Sequence, residues 1–267
     1  MIKRKELEQF LADTFQYGDF DDYCQNGLQI EGKDEIHTIA FGVSFNLPLL
    51  HEAIASQTDA IIVHHGFFGK NFLSLRGVMR EKIKLLLQHD VSLFGIHLPL
   101  DAHWGYGNNA QLFSYIGGEI VEPYDVGFIG NNSKHYSLLQ LLDQFHQQLH
   151  PEQYQDIPAE TPNSSVLAPK YQHGFLYFDN GPEIPQKIAI MSGDSARYYR
   201  EGLEKGFDTF IGGSIDEPTP AISYETETNF INLGHYWSEK PGILALQQAI
   251  DQQFDVKTIF IEIENVI

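Results

Sequence analysis

Two short segments with no hydrophobic alternation constrain this chain most. Residues 59–63 (DAIIV) and 91–96 (VSLFGI) carry apolar side chains at successive positions. A strand with one face in water alternates apolar and polar; a run without alternation belongs to a strand buried on both faces, as in a parallel sheet covered by helices. Each run stops at a histidine: the first at His64-His65-Gly66, the second at His97.

The surrounding pattern agrees. Residues 3–16 read as a helix with Leu7, Phe10, Leu11 and Phe15 on one face. A turn-rich stretch from Tyr17 to Gly32 follows. Residues 36–43 read as a strand, and 47–57 as a helix opened by Asn46 with Pro48 in its first turn. Further helices are expected over 78–89 and from near Asn108 to Ile116. The chain loosens between Glu122 and Asn132, which places a boundary between halves 1–126 and 127–267. In the second half we expect a helix over 135–149 and a proline-rich loop over 150–170. Strands follow at 173–178, 187–191, 208–211, 229–233 and 257–262, with helices at 195–205, 218–223 and 240–254. This alternation predicts an α/β fold of two similarly laid out halves, without a sequence repeat.

Composition narrows the function classes. Asp and Glu number 36 against 17 Lys and Arg, a formal charge of −19. Such a surface repels nucleic acid and anionic membrane, so neither is an expected partner. No apolar run approaches the roughly 18 residues of a membrane span. The N-terminal stretch starts basic but continues as a polar amphipathic helix, so it reads as mature structure and the expected location is the cytoplasm. Cys24 is the single cysteine, which excludes an internal disulfide and a multi-thiolate zinc site.

The twelve histidines are more informative. His64-His65 emerges from a buried strand, where open α/β sheets place ligand sites. Alone, the pair reads equally as one buried and one exposed histidine. His97-Leu-Pro-Leu-Asp101 also ends a buried strand; an aspartate there can bridge cations or simply cap the next segment. His235 and Glu239 follow the strand FINL at i, i+4 spacing, so on a helix they share a face. Their plainer reading is a carboxylate favoured by a helix N-terminus beside an incidental histidine. Together the three clusters share a setting at strand ends and offer mixed nitrogen and oxygen donors. That mixture disfavours calcium and suits Zn, Mn, Fe, Co or Ni.

Weaker candidates remain. Gly105-Tyr106-Gly107 and Ser192-Gly193-Asp194-Ser195 each read as an anion cradle or as a plain helix cap. Cys24 reads as packing. Trp104 and Trp237 each adjoin a histidine cluster and read as stacking platforms or as site walls.

The chain resembles the Nif-three-like (YbgI-type) family, whose members are called GTP cyclohydrolase 1 type 2 homologues. The resemblance spans nearly the whole chain. It is carried by NGLQIEG at Asn26–Gly32, HHG at His64–Gly66, HLPLDAHWGYGNN at His97–Asn109, the Gly-His-x-x-x-Glu of Gly234–Glu239, and the segment Ser192–Glu217. It implies mixed sheets flanked by helices in two halves, with a dinuclear metal site in the cleft between them. It also implies a ring-shaped homohexamer. By motif position, His64, His65, Asp101, His235 and Glu239 would be ligands of two divalent ions, with Asp101 bridging. His97 would stand behind the ligands or face the substrate, with ligation left open. Two departures stand out. Gly66 replaces a proline, which loosens the turn. Gly212-Gly213-Ser214 replaces a segment that usually ends in glutamate, so a cleft carboxylate is lost and Glu217 is the nearby substitute.

Two functions follow as expectations. The first is a metal-dependent hydrolase, in which a metal-bound hydroxide attacks C8 of GTP or another nucleotide or phosphoester and His97 shuttles the proton. The second is a metal-stabilised binding or adaptor ring without turnover.

Overall fold

The structure is a computed structural model and describes residues 1–67, 74–149, 165–263 and 265. The expected 150–170 loop lies outside the described residues up to 164. The chain divides into two compact units: Met1–Gly107 with Gly242–Asn265, and Asn108–Pro241. The sequence reading divides it instead near residue 126 and leaves the C-terminus in the second half. The difference arises because the last strand pairs with an early one.

In the first unit the chain runs β1 (Ile2–Lys3), α1 (Arg4–Phe15), β2 (Gly27–Ile30), β3 (Glu35–Ile36), β4 (Thr38–Ser44), α2 (Leu47–Ala55), β5 (Ala60–His65), α3 (Gly77–His89), β6 (Ser92–Gly95) and α4 (Leu98–Ala102). The second unit holds α5 (Asn108–Tyr115), β7 (Glu119–Tyr124), β8 (Gly127–Asn131), α6 (Leu138–Leu149), β9 (Lys170–Gln172), β10 (Phe175–Asp179), β11 (Lys187–Met191), α7 (Ala196–Glu201), β12 (Thr209–Gly212), α8 (Thr219–Thr226) and β13 (Asn229–Asn232). Helix α9 (His235–Gln253) begins in the second unit and passes into the first at Gly242, and β14 (Lys257–Phe260) ends the series.

The main sheet of the first unit has the order β14-β4-β5-β6-β2. The first four strands are parallel and β2 runs antiparallel to β6. Alternate residues of its central strands feed two separate cores. Ile39, Phe41, Ile62 and Phe94 pack with Leu7, Leu11 and Phe15 of α1 and with Ile243, Leu246 and Ile250 of α9. Ala40, Ile61, Val63 and Leu93 pack with Leu49, Leu50 and Ala53 of α2 and Leu86 of α3. Both faces are therefore covered, as the unalternated apolar runs require. Asn46 opens α2 as expected, its Oδ1 accepting from Leu49 N at 2.9 Å.

The sheet of the second unit has the order β7-β8-β11-β12-β13-β10-β9. Strands β11, β12 and β13 are parallel, and the outer pairings are antiparallel. One core gathers Tyr199, Phe207, Phe210 and Phe230, with Phe210 and Phe230 stacked at 5.8 Å between ring centroids. Both units thus have mixed sheets with helices packed on them.

Two segments depart from the sequence reading. The stretch from Glu122 to Asn132 is the β7–β8 hairpin, not a loose boundary. Its Pro123 sits on β7, the edge strand of this sheet, the place where a strand tolerates proline. Helix α9 begins at His235, not at residue 240. A helix starting at residue 240 would hold Pro241 in its first turn, whereas Pro241 lies inside α9.

Candidate metal centre

Strand β5 carries His64 and His65 at its C-terminal end, within the strand itself. His64 is fully buried, and its Nδ1–H donates to Ile96 O at 2.9 Å. A carbonyl only accepts, so Nδ1 carries a proton and the ring nitrogen left for another partner is Nε2. That nitrogen lies 3.6 Å from Asp101 Oδ2. His65 Nδ1 is 3.0 Å from Ser44 Oγ at the end of β4. His64 is thus held from the β6 side and His65 from the β4 side.

The Gly66 turn is not loose. Gln29, from the NGLQIEG motif, clamps it through Phe67: Nε2 donates to Phe67 O at 2.9 Å and Oε1 accepts from Phe67 N at 2.6 Å. A Cβ at Gly66 would collide with Gln29 Oε1, so glycine is what lets the clamp close.

His97 precedes α4, and Asp101 falls in its first turn, with Leu100 N and Asp101 N both donating to His97 O. The His97 ring lies 5.0 Å from that of His64 and 5.6 Å from that of His65. One ring nitrogen from each of the three lies within 4.8 Å of the others. His97 Nδ1–H donates to Asp22 Oδ1 at 2.8 Å. Asp22 is buried; burial pushes its carboxyl up, but hydrogen bonds from His97, Asn26 and Cys24 outweigh this and hold it at about 2. It is therefore a carboxylate at neutral pH.

In the second unit α9 places His235 and Glu239 on one face, with His235 Nε2 3.2 Å from Glu239 Oε2. Glu239 is buried and His235 half-exposed. The Ser192–Ser195 turn supports them. Asn109 Oδ1 accepts from Ser192 N at 2.7 Å, and Ser238 Oγ accepts from Gly193 N at 3.0 Å. Gly193, at φ +66°, brings its backbone against the Glu239 carboxylate and His235.

The structure therefore brings His64, His65, His97 and Asp101 together in the first unit, and His235 with Glu239 in the second. The remaining candidates resolve as follows. Amides of Ser195 and Ala196 donate to Ser214 Oγ, so that turn is capped by a hydroxyl. Amides of Gly105 and Tyr106 donate to His103 Nδ1, which makes that turn a cap as well. Cys24 is buried, its thiol pushed up to about 11 by burial and by the Asp22 charge. Trp237 is buried with Lys240 Nζ 4.9 Å from its ring, whereas Trp104 is exposed. Glu217 is exposed and Ser214 serves the cap, so this segment contributes no buried carboxylate. Asp22, Ser44 and Gln29 were not singled out in sequence, although Gln29 lay within a recognised motif; Gly193 was read as part of a cradle or cap and not as a support for Glu239.

Imidazoles anchored through Nδ1, as in His64, His65 and His97, beside buried carboxylates are a fitting donor set for a borderline divalent cation. The fold and these donors define an α/β protein able to hold metal on histidine and carboxylate. The chain belongs to the Duf34/NIF3 (NGG1p interacting factor 3) family, whose model matches residues 2–266. It is 36% identical over 271 residues to the GTP cyclohydrolase 1 type 2 homolog of Yersinia pestis, covering 99% of each chain. Among solved structures, one described as protein ybgI of unknown function matches with a TM-score of 0.86 at 31% identity over 100% of both chains. TTHA1606 from Thermus thermophilus matches with a TM-score of 0.83 at 26% identity over 99% of both. Among the described residues, no helix is long and apolar enough to cross a membrane.

Proposed function

We propose that this protein binds two divalent cations, which His64, His65, Asp101, His235 and Glu239 would hold, and hydrolyses a nucleotide or phosphoester. The observation that carries this reading is the fixed tautomer of His64. Its Nδ1–H is spent on Ile96 O, so Nε2, 3.6 Å from Asp101 Oδ2, is the nitrogen that can take a cation. Cations bound there supply Lewis acidity and lower the pKa of water. The chain's own part is to hold the ligands rigidly and move a proton. His97, with Nδ1–H committed to Asp22, accepts or returns that proton at Nε2. The name carried by the relatives points to GTP as the nucleotide, and the proposed assembly is a cytoplasmic, ring-shaped homohexamer.

Elemental analysis of protein purified without added metal tests the centre; two ions per chain is the expected result. A nucleotide and phosphoester panel with Mn or Zn then tests turnover. No hydrolysis at confirmed full occupancy would leave a metal-stabilised binding ring as the function.

A further inference from the structure

The loop between α1 and β2 contributes a residue that no motif reading assigns. Asp22 is buried, and each of its oxygens accepts two hydrogen bonds. Oδ1 takes His97 Nδ1–H at 2.8 Å and Cys24 N–H at 2.9 Å. Oδ2 takes Asn26 Nδ2–H at 3.0 Å and Leu98 N–H at 3.1 Å. Asn26 closes the network, its Oδ1 accepting the backbone N–H of His97 at 2.7 Å. The ring, the backbone amide and the following amide of His97 are thus all held by one loop.

Capping α4 would need only the bond from Leu98. The bond to Nδ1 is additional, and it acts on the ring. A carboxylate cannot donate, so it fixes the proton on Nδ1. Nε2 is then the ring nitrogen not committed to Asp22, and the tethered backbone keeps the ring beside His64 and His65.

We propose that Asp22 is a positioning residue for the reaction: with Asn26, it sets the tautomer and orientation of the His97 ring beside His64 and His65. Asp22 touches no substrate on this account; it acts through His97. The inference rests on the hydrolytic reading above for its purpose, but its physical content does not depend on turnover.

Nitrogen-15 magic-angle-spinning NMR of histidine-labelled protein, at one neutral pH and after metal removal, tests it. The His97 signals are identified by their loss in His97→Ala. The wild-type protein should show one tautomer, with the proton on Nδ1. Asp22→Ala should show a mixture of both tautomers, and kcat should fall by about 100-fold or more while KM changes little. Asp22→Ala added to His97→Ala should lower kcat no further. A wild-type His97 protonated on Nε2 overturns the proposal without any variant, even if Asp22→Ala does not fold. So does a folded Asp22→Ala protein whose His97 keeps the single Nδ1–H tautomer. If the wild-type protein turns over no substrate, the hydrolase reading fails while the tautomer result still decides the role of Asp22.

Discussion

Gly193 packs against Glu239 so closely that a Cβ at this position would overlap the glutamate's Oε1. Its φ of +66° is in the left-handed region, so a side chain is disfavoured twice over. Gly193→Ala is expected to lower stability by about 1–3 kcal/mol. It should also displace the Glu239 carboxylate. Urea denaturation and metal content, measured on the same preparation, check both effects; unchanged values for both would show that the turn relaxes freely.

Asp101 Oδ2 stands 3.6 Å from His64 Nε2. Asp101→Ala should lose at least one bound metal ion while keeping its secondary structure. Elemental analysis alongside circular dichroism gives the answer. Full metal content in the variant would exclude Asp101 as a ligand.

Removing metal from the wild-type protein should lower its melting temperature, because a ligand bound only to the folded state stabilises by mass action. The effect is about 2.7 kcal/mol when free ligand is 100 times its dissociation constant. Calorimetry before chelation, after it, and after adding back Zn or Mn tests this. A melting temperature indifferent to all three would count against bound metal.

Asp59 supplies a pH effect away from the candidate site. It is buried immediately before β5, where it accepts from His37 N, Thr38 N and Lys33 Nζ. Burial pushes its carboxyl up, but these bonds prevail and hold it below the usual value. A group depressed in the folded state contributes stability above its unfolded pKa and loses it as pH falls through the folded one. Asp59→Asn should therefore cost about 1–3 kcal/mol at pH 7 and progressively less below pH 4. Denaturation curves across pH 2–7 would show the two proteins converging in acid; a constant gap would refute the assignment.

Phe210 is fully buried in the aromatic core of the second unit, 5.5 Å from Tyr199 and 5.8 Å from Phe207 and Phe230 by ring centroid. Truncation to alanine should cost about 3–5 kcal/mol. A thermal melt shifted by less than a degree would mean the core collapses to fill the space.

The sequence makes the central strands legible because burial on both faces leaves a pattern of consecutive apolar residues, as in β5. Strands β2, β7 and β8 leave no such mark: β7 is largely exposed and contains Pro123, and β8 contains two glycines. The expected ligands were legible because histidine and carboxylate cluster after apolar runs. Asp22 was not: it lies 75 residues from His97 in a turn-rich stretch, and only folding joins them. The start of α9 was hidden by Pro241, whose usual place is a helix's first turn.

Strand β5 also encodes its chemistry by parity. Ile62 belongs to one core and Val63 to the other, and His64 and His65 continue that alternation at the strand end. A one-residue insertion or deletion upstream in β5 would exchange the two faces. It would offer His64's environment to its neighbour, whose ring is held by a serine hydroxyl instead of a carbonyl. The spacing of this strand is therefore a reading frame for the histidine pair: substitutions among its aliphatic residues preserve the message, and a single frameshift in register erases it.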